Sequence, residues 1–188
     1  MDIYKIKFTR LENEIFRFLC IKSGISLNQR TIARMLKVSP TAVSNSLPAL
    51  EKEGLIKIKK QPNFNLLSIE FNRENQNAIN LKRVENIKMI YDSGLAEFLR
   101  ENFPGCSVIL FGSYSRGEDS ITEDFDGHKS DIDMAVIGTK GKEIDLTKFS
   151  KLFEREITIN FYSSFKDIHK NLKNNILSGI LFNGGVDL

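Results

Sequence analysis

The feature that most restricts how this chain can fold is a pair of apolar runs, 107–112 (SVILFG) and 130–138 (SDIDMAVIG). The second run carries Asp131 and Asp133 around a single isoleucine. Both runs are dense in β-formers and predict strands. In an extended chain, residues i and i+2 point to one face about 6.5–7 Å apart. Asp131 and Asp133 therefore project together, and Ile132 turns to the core. At that spacing two carboxylates repel by about 2–3 kcal/mol at an effective dielectric of about 20. Such a pair needs either full solvation or a cation between its members. Hard divalent ions with oxygen ligands fit, Mg2+ (or Mn2+) above all where phosphate oxygens complete the shell.

Gly112-Ser113, at the end of the first run, supplies the other half of that expectation. A glycine after a strand lets the backbone approach a ligand closely. The serine and the free N–H groups of a following helix start can hold phosphate oxygens. Arg116 lies one turn on and can clamp the same phosphates. A Gly-Ser or an Asp-x-Asp alone says little. In this order, on consecutive strands, they point much more strongly to a cation held against phosphate oxygens.

The rest of the chain is read around that site. Its 188 residues suffice for one large or two small domains. No apolar run approaches the roughly 20 residues that span a membrane. The first residues lack a continuous apolar stretch, so no signal peptide is expected. Cys20 and Cys106 sit in apolar runs and read as reduced core residues of a cytoplasmic protein. Charge is uneven: residues 1–72 carry 12 Lys/Arg against 6 Asp/Glu, whereas residues 105–188 carry 10 against 13. A basic first part beside a slightly acidic last part suggests two kinds of partner.

In that basic part, Leu11, Ile15, Phe18 and Leu19 predict a helix ended by Gly24. Ile32, Ala33, Leu36 and Val38 predict a second helix. Ser39-Pro40 reads as the cap and first residue of a third, with Val43, Leu47 and Leu50 buried. LIKIKK and NLLSIEF read as two strands around the turn formers QPN. The stretch TIARMLKVSPTAVSNSLPALEKEGLIKI resembles the winged helix-turn-helix domains of prokaryotic transcription regulators, and the resemblance covers about residues 8–72. It implies major-groove reading by the third helix, with the wing on the backbone. Thr41, Ser44 and Asn45 are the candidate DNA-reading residues, with Ser46 beside them. Arg30, Arg34 and Lys37 on the second helix, and Lys57, Lys59 and Lys60 on the wing, are the candidates for phosphate. Pro48 lies inside the third helix and removes one of its hydrogen bonds. The other use of such a domain is dimerisation or packing.

Residues 75–102 show helical spacing at Leu81, Val84, Ile87, Ile90, Tyr91, Leu95, Phe98 and Leu99, with Gly94 a dividing point. This stripe reads as plain core or a homodimer seam.

The motif FGSYSRGE followed by SDIDMAVIG closely resembles the minimal nucleotidyltransferases of the DNA polymerase β superfamily, over roughly residues 95–188. By that resemblance Gly112 and Ser113 bind the triphosphate, ATP as the first guess, and Asp131 and Asp133 are catalytic and bind magnesium. The implied reaction is transfer of a nucleoside monophosphate, with loss of pyrophosphate, to a protein or nucleic-acid acceptor. Two departures stand out. The spacer 114–130 is longer than usual, and its surplus lies within the acidic EDSITEDFDGHKS, which reads as a solvated loop carrying His128 or as a cap that orders on binding. The family also places a third carboxylate on a later strand. The corresponding strand, REITINFY, offers Thr158 and Asn160 there, with Glu156 as a stand-in only under a shifted register. Two readings follow: an active transferase, or a catalytically weakened, nucleotide-sensing transcription regulator.

The expected architecture is α+β. A winged helix over residues 1–72, three helices plus a β-wing, precedes a connecting helix over 73–94. A nucleotidyltransferase-like mixed sheet with flanking helices occupies 95–188.

Overall fold

The computed structural model describes residues 7–60, 67–121 and 130–186. The expected QPN turn, the later part of the acidic insert with His128, and Asp187 lie outside the described residues. The chain divides into two compact units, and the division falls at Lys82/Arg83. Ser120 and Ile121 belong with the first unit.

The first unit is built from α1 (Arg10–Ile21), α2 (Gln29–Leu36), α3 (Pro40–Lys52), β1 (Ile56–Lys60) and β2 (Leu67–Phe71). Each helix has a side-chain cap for its orphan N–H groups. Thr9 and Glu12 form a capping box on α1. Asn28 accepts from the Thr31 N–H on α2 at 2.9 Å. Ser39 accepts from Ala42 on α3 at 3.1 Å, with Pro40 as the first helical residue. Ile15, Leu19, Ile32, Val43, Leu47 and Leu50 interlock as the core, as their spacing required. Lys37 ends α2 in the left-handed region (φ 55°), so it forms the tight turn into α3 rather than part of the helix itself. β1 and β2 pair antiparallel, Ile58 opposite Ile69. Leu27 exchanges two backbone hydrogen bonds with Ile69, a third rung absent from the sequence reading. Three helices followed by this hairpin make a winged helix. Ile121 is buried in the same unit, and its N–H donates to the Ser23 carbonyl at 2.7 Å.

α4 (Gln76–Asp92) runs across the division. The remaining elements of the second unit are α5 (Leu95–Asn102), β3 (Ser107–Phe111), α6 (Gly112–Arg116), β4 (Ile132–Ile137), α7 (Thr147–Phe153), β5 (Ile157–Tyr162), a 3-10 turn at Phe165–Asp167, α8 (Lys170–Leu177) and β6 (Ile180–Asn183). Gly94, at φ 79°, separates α4 from α5 as expected. The sheet order is β5-β4-β3-β6, with β4 and β5 parallel and the other pairs antiparallel. β3 is buried along its whole length, hence its unbroken apolar run. One sheet face, with Ile109, Phe111, Ala135 and Ile137, packs against Phe165, Ile168 and Ile176. No helix among the described residues is long and apolar enough to cross a membrane.

The expected apolar stripe on α4 is corrected by the structure. Val84 and Tyr91 are both 58% exposed, and Leu81 is exposed too. The buried positions are Ala78, Lys82, Asn86, Met89 and Ile90. The helix turns a partly polar face inward because Asn86 satisfies buried polar groups there. Tyr91 stacks at its edge on Phe182, centroids 5.1 Å apart.

The α3 cap gives a direct check. Ser39→Ala removes the acceptor for the Ala42 N–H and should cost about 1 kcal/mol. The expected readout is a lower denaturant midpoint for the winged-helix unit with an unchanged slope.

Candidate functional site

The two halves of the Gly-Ser and Asp-x-Asp motif meet because β3 and β4 are antiparallel neighbours. Phe111, the last residue of β3, lies opposite Asp133. Gly112 follows at φ 75°, and a Cβ there would overlap the Asp133 carboxylate. Glycine is thus required twice, by the left-handed backbone and by the carboxylate pressed against it. α6 begins at Gly112, and the Ser115 hydroxyl donates to the Gly112 carbonyl at 2.8 Å. Gly117, left-handed at φ 76°, ends the helix, and the Glu118 N–H returns to the Ser113 carbonyl at 3.0 Å.

Asp131 is exposed and stands one residue before β4, not within it; Asp133 is half-buried in the strand. Among the described residues neither carboxylate accepts a hydrogen bond or pairs with a cation. Burial, reinforced by the charge of Asp131, pushes the Asp133 carboxyl above its ordinary range. A half-buried carboxylate beside a second one, both lacking a partner, is the donor set of a hard divalent ion. The residues present fit such an ion.

The fit stops at two acids. β5 runs parallel to β4 with Thr158 beside Asp133 and Asn160 beside Ala135. Both are uncharged, and no cluster of three His, Cys, Asp or Glu residues suited to a metal occurs among the described residues. Glu156 is exposed just before β5, and its carbonyl accepts from the N–H of Ile132 at 2.8 Å. It therefore flanks Asp131 along the ladder. Glu156 also borders an open cavity of about 740 Å³, lined by Leu146, Ser150, Lys151, Arg155 and Ile157 among others but by neither aspartate nor Gly112-Ser113. That volume is in the range of small-molecule pockets.

Arg116 is half-exposed and bonded through Nε to Glu118 at 2.7 Å. The described start of the insert, residues 118–121, departs from the solvated loop expected of it. Asp119 is only 2% exposed and pairs with Arg155 at 3.3 Å. Asn86 of α4 donates to Asp119 Oδ1 at 2.8 Å and to the Tyr114 carbonyl of α6 at 2.9 Å. The sequence reading missed Asn86 and Arg155. The available signal was an asparagine inside a helix, where its side chain competes with the backbone unless it has a tertiary partner.

On the first unit, Thr41, Ser44 and Asn45 are exposed on α3, as are Arg30 and Arg34 on α2. Ser46 is buried, its hydroxyl donating to the Ala42 carbonyl at 3.0 Å. The wing lysines are partly spent: Lys57 pairs with Glu74 at 2.5 Å and Lys59 with Glu70 at 2.8 Å. Lys60 is exposed and unpaired among the described residues. His169 is exposed and caps α8.

Residues 93–181 match the family described as the nucleotidyltransferase domain. No curated protein sequence matches the chain. Among solved structures, the zinc-responsive MarR family member ZitR of Lactococcus lactis is similar at 22% identity over 53% of this chain, with a TM-score of 0.40. The match spans 65% of ZitR, less than two thirds of its length. The S. aureus MepR–DNA complex is similar at 25% identity over 50% of this chain and 74% of that one, with a TM-score of 0.38. Residues 93–181 are thus similar to a nucleotidyltransferase domain, and the residues before them form a winged helix by the order and pairing of their own elements.

Removing one charge tests the electrostatics. Because the folded-state carboxyl of Asp133 titrates higher than in the unfolded chain, its ionisation weakens the fold as pH rises through that raised value. In metal-free buffer Asp133→Asn should therefore raise Tm by about 1–3 °C near pH 8. The gain should vanish at low pH, where both forms are neutral; equal melting at every pH contradicts it. Gly112→Ala should instead destabilise by about 1–3 kcal/mol.

Proposed function

We propose that the chain is a DNA-binding regulator whose nucleotidyltransferase domain holds one nucleoside triphosphate with one Mg2+ or Mn2+. The carrying observation is the half-buried, unpartnered Asp133 pressed against Gly112. Asp131 and Asp133 hold the ion. Gly112, Ser113 and the first N–H groups of α6 take phosphate oxygens. Arg116 can join them on leaving Glu118. When bound, the ion neutralises the triphosphate and eases departure of pyrophosphate.

Thr158 beside Asp133 favours binding over transfer, since among the described residues no third carboxylate completes a site for the attacking hydroxyl. A second reading rests on Glu156, which flanks Asp131 and borders the cavity. In that reading an acceptor hydroxyl oxygen bonds to the α-phosphorus, the bond to the β-bridging oxygen breaks, and Glu156 takes the hydroxyl proton. Incubation with α-labelled nucleoside triphosphates, Mg2+ and cell lysate separates the two. Retention of nucleotide, lost in an Asp131→Asn, Asp133→Asn variant, with no label transferred supports the binding reading. Transfer that depends on Glu156 supports the second, and no retention at all rejects both.

DNA binding is proposed through the exposed Thr41, Ser44 and Asn45, with Arg30, Arg34 and the wing lysines on phosphate. The ion pairs of Lys57 and Lys59 each have one exposed member and are weak, so phosphate can displace the carboxylates. Glu70→Gln should free Lys59, tighten binding and steepen the logarithmic salt dependence by about one. Lys60→Ala should flatten it by about as much. Fluorescence anisotropy on a DNA duplex from the gene's own upstream region, across a salt series, reads both; unchanged slopes remove the wing from the interface.

A further inference from the structure

We infer that Asn86, Asp119 and Arg155 form a positioning network that sets the phosphate-binding half of the nucleotide site against its carboxylate half. The inference rests on the nucleotide reading above. All three residues are at most 3% exposed. Asn86 has two N–H donors on one nitrogen and uses both: one on the Tyr114 carbonyl, the other on Asp119 Oδ1. Tyr114 is the third residue of α6, the helix that opens with Gly112-Ser113. Asp119 presents its second oxygen, Oδ2, to the Arg155 guanidinium.

From Arg155 the connection runs through the backbone to the segment that carries the aspartates. Its guanidinium also donates to the Glu154 carbonyl at 3.2 Å, and its own N–H reaches the Ser150 carbonyl at 3.2 Å. The backbone entering β5 is thereby fixed. The next residue, Glu156, holds the N–H of Ile132 through its carbonyl. Ile132 is the residue between Asp131 and Asp133. The network thus joins α6 at one end to the Asp-x-Asp backbone at the other.

A network that served only the fold would not need this placement. A buried ion pair can often be replaced by apolar residues of similar volume without loss of stability. Partners that orient metal ligands behave differently, and their loss typically lowers metal affinity by about 10–100-fold. The two roles are therefore separable.

The experiment measures binding of inorganic tripolyphosphate to the full chain, with Mg2+ and with EDTA, beside Tm. The ratio of the two affinities is the Mg2+ increment, which reports on the carboxylate half. Wild type should show an increment that Asp131→Asn, Asp133→Asn abolishes; if both bind alike, the nucleotide reading itself fails. Given that increment, Asp119→Leu with Arg155→Met should reduce it about 10-fold, while Tm falls only modestly, as Asn86 loses one acceptor. Asp119→Asn, closest in shape, should reduce it in the same direction should the double variant not fold. Asn86→Ala should weaken tripolyphosphate in EDTA as well, since it releases α6. Folded variants with wild-type increments overturn the positioning role.

Discussion

The burial of Asp133 against Gly112, beside the second carboxylate of Asp131, is the constraint on which the proposed site depends. Asp133 is half-buried there, and burial, reinforced by the charge of Asp131, pushes its carboxyl above the ordinary range. The fold keeps the arrangement by bracing the backbone on either side. β4 is clamped between β3 and β5, and the residue between the two acids is bonded to Glu156. A fold optimised only for stability would discard one of these charges. The proposed cation and its phosphate ligands would offset that cost.

The buried polar groups nearby follow from the same demand. Asn86, Asp119 and Arg155 consume buried volume that leucines could fill. Their worth lies in direction: each hydrogen bond fixes an angle that dispersion contacts leave free. The long insert begins inside this network rather than beyond it. Asp119 is anchored in the second unit and Ile121 in the first, so its opening residues are structural.

Much of the fold was legible because local chemistry and tertiary structure agree. Ser39-Pro40 caps α3, Gly94 breaks the long helix, and the all-apolar VILF is the central strand. The meeting of Gly112 with Asp133 was readable from motif order alone. What escaped depended on partners distant in sequence. Periodicity assigns Lys82 and Asn86 to solvent, yet both are buried while Val84 and Tyr91 face out. Asp119 looked like its acidic neighbours because Arg155 lies 36 residues away. α7 escaped because no side chain caps its first turn and Leu146 stands where a cap would be. The ion pairs of the wing lysines escaped because their partners, Glu70 and Glu74, lie across the hairpin or beyond it.

The central claim is a site with two carboxylates for one ion, Thr158 standing where a third acid would complete a second. Counting bound Mn2+ by electron paramagnetic resonance, at saturating tripolyphosphate, tests it most directly. One Mn2+ per chain, lost in the Asp131→Asn, Asp133→Asn variant, is the predicted result. Two per chain would mean that Glu156 or another acid completes a second metal position, and none would remove the cation from the account altogether.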